Sequence, residues 1–295
     1  MSLDDPYALT DPLETSAAPE RVNYATGVLL QAEDFRDEQT YHRARLATAL
    51  RHLVGFGTVA GLAVRAPLAE DNELELRVEP GLAVDRYGRL IELGAPYCIR
   101  LARWFAAQET SKLRAAIHRA PRTPLDVAVV ADVFLSAGEC GRGKTPSLAS
   151  GPFDALDALV PARLAEQPEL DLVMRAEGAP ADIPTPENFW PAPNANRDTK
   201  LKAVLGSFDV GLTGGLDEGP EPLTEHVEGS GNNLSAVLLA RVAIPVTLAA
   251  NAPTGTRPVL DLAQRARADN SIRPFIFLPG KWLGRSPADV PLVEP

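Results

Sequence analysis

Proline and glycine set the tightest limit on what this chain can fold into. There are 27 prolines and 22 glycines among 295 residues. Proline lacks the amide donor that a helix interior needs, and glycine has the largest conformational entropy to lose, so both work against long helices. The sequence therefore predicts short elements joined by many turns rather than a helical bundle. Hydrophobic residues make up 45%, enough for a large core, which excludes disorder along the whole length.

Charge narrows the functional classes. Lys and Arg number 29 against 39 Asp and Glu, a net charge of −10. Without a concentrated basic patch, such a chain repels phosphate backbones, so no nucleic-acid partner is expected. No apolar run approaches the ~18 residues of a membrane-spanning helix, and no membrane insertion is expected. Residues 1–20 are acidic and contain proline, without the basic and apolar regions of a signal peptide. Synthesis and assembly in the bacterial cytoplasm are the expectation. Two cysteines, Cys98 and Cys140, are too few for a disulfide framework or a cysteine-rich metal site.

Along the chain, residues 1–24 are polar and aperiodic and read as an arm. A helix is predicted over 33–54. Phe35, His42, Leu46, Ala49 and Leu53 fall on one stripe of it, flanked by Tyr41 and Leu50. Acidic residues open this helix, Arg43, Arg45, Arg51 and His52 crowd its later turns, and Gly55 and Gly57 end it. Short strands with turn signals at Pro80-Gly81 and Tyr87-Gly88 predict a β-meander over 59–93. Residues 101–118 read as helical again. Beyond Pro121 and Pro124, the apolar run 127–135, interrupted only by Asp132, predicts a central strand. Residues 136–152 read as turns, 153–173 as helical pieces broken by Pro161 and Pro168, and 236–246 and 272–278 as late strands. Residues 178–197 and 211–231 read as long loops. The predicted class is α+β and β-rich: arm (1–24), amphipathic helix and meander (25–120), then a second β-rich, sandwich-like region (121–295).

Candidate chemistry is sparse. Gly138-Glu139-Cys140-Gly141-Arg142-Gly143-Lys144-Thr145 fits the phosphate-binding pattern G-x-x-x-x-G-K-S/T. That motif works only when a helix starts at the Lys and its amides cradle the phosphates. Pro146 follows at once and Gly151-Pro152 breaks the chain again, so a glycine-rich loop is the expectation. His42, His52, His118 and His226 lie at no metal-ligand spacing. Cys140 beside Arg142 and Lys144 has no histidine in a usable pattern, and no G-x-S-x-G elbow occurs. No catalytic residue, cofactor or metal is predicted. Phe189 and Trp190, aromatic in a proline-rich loop, are candidate anchors for a neighbouring subunit. With Phe35, Tyr41, Leu46, Leu50 and Leu53 they form the expected interface set.

Three blocks carry a resemblance. Arg21-Val22-Asn23-Tyr24-Ala25-Thr26-Gly27-Val28-Leu29-Leu30 runs into Gln31-Ala32-Glu33-Asp34-Phe35-Arg36-Asp37-Glu38-Gln39-Thr40-Tyr41. Gly55-Phe56-Gly57-Thr58-Val59-Ala60-Gly61-Leu62 and Glu79-Pro80-Gly81-Leu82-Ala83-Val84-Asp85-Arg86-Tyr87-Gly88-Arg89 follow. Together they resemble accessory and baseplate proteins of phage tails and of phage-tail-like contractile injection systems, with departures at Ala25 and Ala60. The stretch around Glu139-Cys140, Ala240-Arg241-Val242 and Asp269-Asn270-Ser271-Ile272-Arg273-Pro274 are similar to later elements of the same group. The resemblance implies a non-enzymatic structural component, a homo-oligomer meeting baseplate, sheath, tube or fibre subunits of a particle released from the cell or docked at a membrane. The rival readings are a particle-associated enzyme, either a P-loop NTPase or an envelope hydrolase, and a carbohydrate-binding β module.

Overall fold

The computed structural model describes residues 13, 20–67, 74–120, 123–146, 159–175, 236–270 and 273–276. The order is α1 (Ala32–Leu53), β1 (Gly57–Gly61), β2 (Val64–Arg65), β3 (Glu75–Val78), β4 (Gly81–Val84), β5 (Leu90–Leu93), β6 (Tyr97–Arg100), α2 (Leu101–Ala107), α3 (Thr110–Ala115), β7 (Ile117–Arg119), β8 (Val127–Ser136), β9 (Glu139–Pro146), β10 (Leu159–Glu166), β11 (Glu169–Met174), β12 (Val237–Thr247), β13 (Val259–Leu260) and β14 (Arg267–Asp269). The fold is α+β and β-rich.

The long apolar strands pair antiparallel at the centre. Val129 of β8 lies opposite Ile244 of β12, and Ala131 opposite Val242. β7 and β11 both pair with β8, at different heights along its other edge. β13 and β14 divide the outer edge of β12 in the same way. β8 is paired on both edges and β12 on its outer edge at 241–243 and 246–247, and both faces of the two strands are buried, which lets them be apolar almost throughout.

The meander predicted over 59–93 is corrected. Successive strands there are split between two three-stranded sheets, ordered β1-β4-β5 and β2-β3-β6. At the switch between β1 and β2, Gly61 has φ +64°, and a Cβ placed there would lie 2.1 Å from the Pro80 carbonyl oxygen. Leu62, fully buried, follows with φ +58°, an uncommon conformation for a branched side chain, held here by the surrounding packing.

Three further expectations are corrected. Residues 139–146 form a strand, not a loop, and no helix begins at Lys144. Within 153–173, β10 and β11 replace the predicted helical pieces. Pro161 does not break β10, because it lies in a two-stranded ribbon opposite Lys144, where an edge strand tolerates a missing donor. Of the strand predicted at 272–278, the described residues show one bridge, Phe275 to Thr58. Helical character over 101–118 is confined to α2 and α3, and β7 takes the end of that stretch.

Residues on both sides of position 120 share one core. Leu62, Leu76, Leu101 and Leu113 belong to the same buried cluster as Val129, Val133, Leu239 and Ile244. Asn270 stitches the halves along the chain. It accepts a hydrogen bond from the Val64 amide (2.8 Å) and donates one to the Val64 carbonyl (3.0 Å), as a neighbouring strand would. The Thr58 amide donates to the Pro274 carbonyl (2.7 Å), and Arg273 donates to the Gly61 carbonyl (2.9 Å).

Candidate interaction surface

The segment leading into α1 is shaped by its own polar groups. A turn at 25–28 closes with the Val28 amide donating to the Ala25 carbonyl. The Tyr24 hydroxyl donates to the Glu38 carboxylate, and this bond pushes the phenol pKa above its usual value. The Gln31 amide donates to Asp34 (2.7 Å), satisfying one of the orphan donors at the helix start. At the other end Gly55, with φ +83°, donates its amide to the Leu50 carbonyl.

α1 meets the body along a narrow line. Ala47 is its one buried residue. A Cβ on Gly88 would lie 2.0 Å from the Ala47 carbonyl oxygen, so the helix rests on the β4–β5 turn at a distance only glycine permits. That turn is built by Asp85. Its carboxylate accepts from the amides of Tyr87 (2.9 Å) and Arg89 (2.8 Å) and from Arg89 Nε (2.6 Å). Burial pushes the Asp85 pKa above the ordinary carboxylate range, while the Arg89 guanidinium pulls it down. Arg86 lies over the Phe56 ring at 4.8 Å, and burial lowers its pKa to about 10. Arg43 pairs with Glu139 at 2.9 Å, joining the middle of α1 to the base of β9.

The apolar stripe is left open by these contacts. Phe35 is 50% exposed, Leu46 59% and Leu53 75%. His42 and Ala49, between them, are exposed as well. Tyr41 and Leu50 are half-buried on opposite sides of the helix, and Ala47, where α1 meets the body, lies about a third of a turn from the stripe. The stripe read from helical spacing and the edge that touches the body are therefore different faces of one helix. Phe189 and Trp190, most of the arm 1–24 and the loops 178–197 and 211–231 lie outside the described residues.

A buried charge network went unanticipated. Asp132, 2% exposed, accepts from Arg175 (2.8 Å) and from Arg241 through both of its carboxylate oxygens (2.8 and 3.2 Å). Arg241 lies directly opposite it across the β8–β12 ladder. The available signal was that Asp132 and Arg241 are each the lone charge of an apolar strand, and a buried lone charge needs a partner.

Among the described residues, no group of three or more His, Cys, Asp or Glu side chains gathers as a metal site. Both cysteines are free, and a hydrogen bond with Glu75 pushes the Cys98 thiol pKa up, away from a reactive thiolate. No helix among the described residues is long and apolar enough to cross a membrane.

No protein-family model matches the chain. No curated protein matches it either. A crystal structure of TssK is similar across 84% of this chain and 42% of that one, at 9% identity and a TM-score of 0.27. This chain thus spans less than half the length of that neighbour, and a likeness of that degree carries nothing about fold or role.

Proposed function

We propose that the chain is a non-enzymatic structural subunit of a contractile, phage-tail-like particle, of the baseplate or fibre-attachment kind, and that it acts through contacts with copies of itself and with other particle subunits. The observation carrying this reading is the open stripe of Phe35, Leu46 and Leu53 on a 22-residue helix. A helix of that length spans about 33 Å, enough to reach across a subunit boundary. Fully burying such side chains is worth about 1.5–3 kcal/mol each, so a partner covering the stripe gains a hot spot.

The use made of the resembling blocks supports the reading. Gly57, Gly61, Asp85, Gly88, Arg89, Asn270, Arg273 and Pro274 all serve backbone approach, turn construction or stitching between segments. These are duties of a scaffold, and the surface it presents is α1.

The test is Leu46→Asp. It should weaken oligomerisation or incorporation into tail-like particles while thermal unfolding of the isolated chain stays unchanged, because the added charge is desolvated only when the stripe is covered. Unfolding of the isolated chain by this substitution would place Leu46 in the core and overturn the reading.

A further inference from the structure

The segment that resembles a phosphate loop in sequence becomes something else in space. β9 and β10 pair with each other and with no other described strand. A two-stranded ribbon is marginal by itself. This one also places Arg142 directly opposite Arg163, with Lys144 two residues further on. All three are exposed. Like charges facing each other across a ladder destabilise it, and among the described residues no carboxylate pairs with any of the three. A chain of net charge −10 thus gathers cations where they weaken the element that carries them.

The ribbon's other face is acidic at its base, where Glu139 lies opposite Glu166. Glu139 is the residue held by Arg43 of α1. Side chains alternate across a strand, so Arg142 and Arg163 sit on the face opposite the one tied to their own helix.

A matching surface exists on the same molecule. Glu33 and Asp37 are exposed on the first two turns of α1, four residues and hence about 6 Å apart. Arg142 and Arg163, as opposed residues of an antiparallel pair, are about 5 Å apart. Arginine meets carboxylates in paired, directional hydrogen bonds. Among the described residues Glu33 pairs with Arg36 at 3.7 Å, in an exposed pair that contributes little.

We propose that the cationic face of the β9–β10 ribbon in one copy docks on the acidic first two turns of α1 in a second copy. The contact joins two different surfaces, so it repeats head to tail and generates a ring or a filament. Of the apolar stripe, Phe35 lies within these turns, while Leu46 and Leu53 lie at the other end of the helix.

The test is charge reversal on the purified chain, read by sedimentation at about 50 mM and about 500 mM salt, because exposed pairs are screened at the higher value. Arg142→Glu with Arg163→Glu should weaken self-association about tenfold or more at low salt, and Glu33→Arg with Asp37→Arg should do the same. Mixing the two variants should restore association, since each then offers the surface the other has lost. Circular dichroism melting checks that both variants fold. Three results would overturn the proposal: a wild-type chain that stays monomeric, ribbon reversal that acts while helix reversal does not, or no restoration on mixing. A short DNA duplex held by the wild type and released by ribbon reversal, with self-association untouched, would assign the cations to nucleic acid and overturn it too. Loss of association in Leu46→Asp with both reversals silent would leave the stripe as the docking site and remove the ribbon from it.

Discussion

The central strands and the first helix are the two most legible apolar elements of the chain, and they end in opposite environments. β8 buries every residue after Val127, and β12 buries all but Arg241 and Thr247. α1, with an apolar stripe of comparable clarity, buries Ala47 alone. The difference lies in how each element is neighboured. A strand in mid-sheet is held by ladders on both edges and can be covered on both faces. A helix satisfies its own backbone and needs only one line of contact to stay in place. α1 is held at the Gly88 turn and by Arg43, and the rest of its apolar face stays exposed. Hydrophobic pattern reports which residues share a face, and does not report whether the fold covers that face.

Three measurements would break or sharpen this contrast. The largest effect is expected in the sheet. Asp132→Ala leaves two guanidinium groups beside a buried gap, and removing one partner of such a network costs about 3–5 kcal/mol. Chemical denaturation should show that loss, and a change under ~1 kcal/mol would mean that Arg175 and Arg241 rehydrate freely and that the site is less enclosed than its 2% exposure indicates.

Gly88→Ala comes next and acts on the seam between the two regions. With φ +85° and the Ala47 oxygen 2.0 Å from the added Cβ, the turn and the helix must separate, at about 2–3 kcal/mol. Hydrogen exchange should rise in α1 while β8 and β12 remain protected. Equal acceleration in the strands would show that α1 is part of the same cooperative unit and would close the gap between the two regions.

The smallest effect is within the helix itself. Leu46→Ala should change the stability of the isolated chain by less than ~0.5 kcal/mol, whereas half-buried Leu50→Ala should cost about 1–2 kcal/mol. Reversal of that order in thermal melts would mean that the stripe, and not the edge carrying Ala47 and Leu50, rests on the body.

What the sequence by itself determined is whatever local periodicity and punctuation encode. The helix lies one residue from its predicted start and end, because charged residues in its first and last turns and a glycine just beyond it are local signals. The apolar strands around Asp132 and Arg241 were legible for the same reason. Only the tertiary structure decided the partners. The meander divides between two sheets because Gly61 permits a backbone approach that no pattern announces. The glycine-rich run before Pro146 becomes a strand because β10 lies beside it, and pairing outweighs the weak local preference of glycine and proline. Asp132 finds Arg241 through register, 109 residues away in sequence. Propensity is a sum over near neighbours, while pairing, close approach and the choice of which helix face stays open are set by residues far apart in sequence.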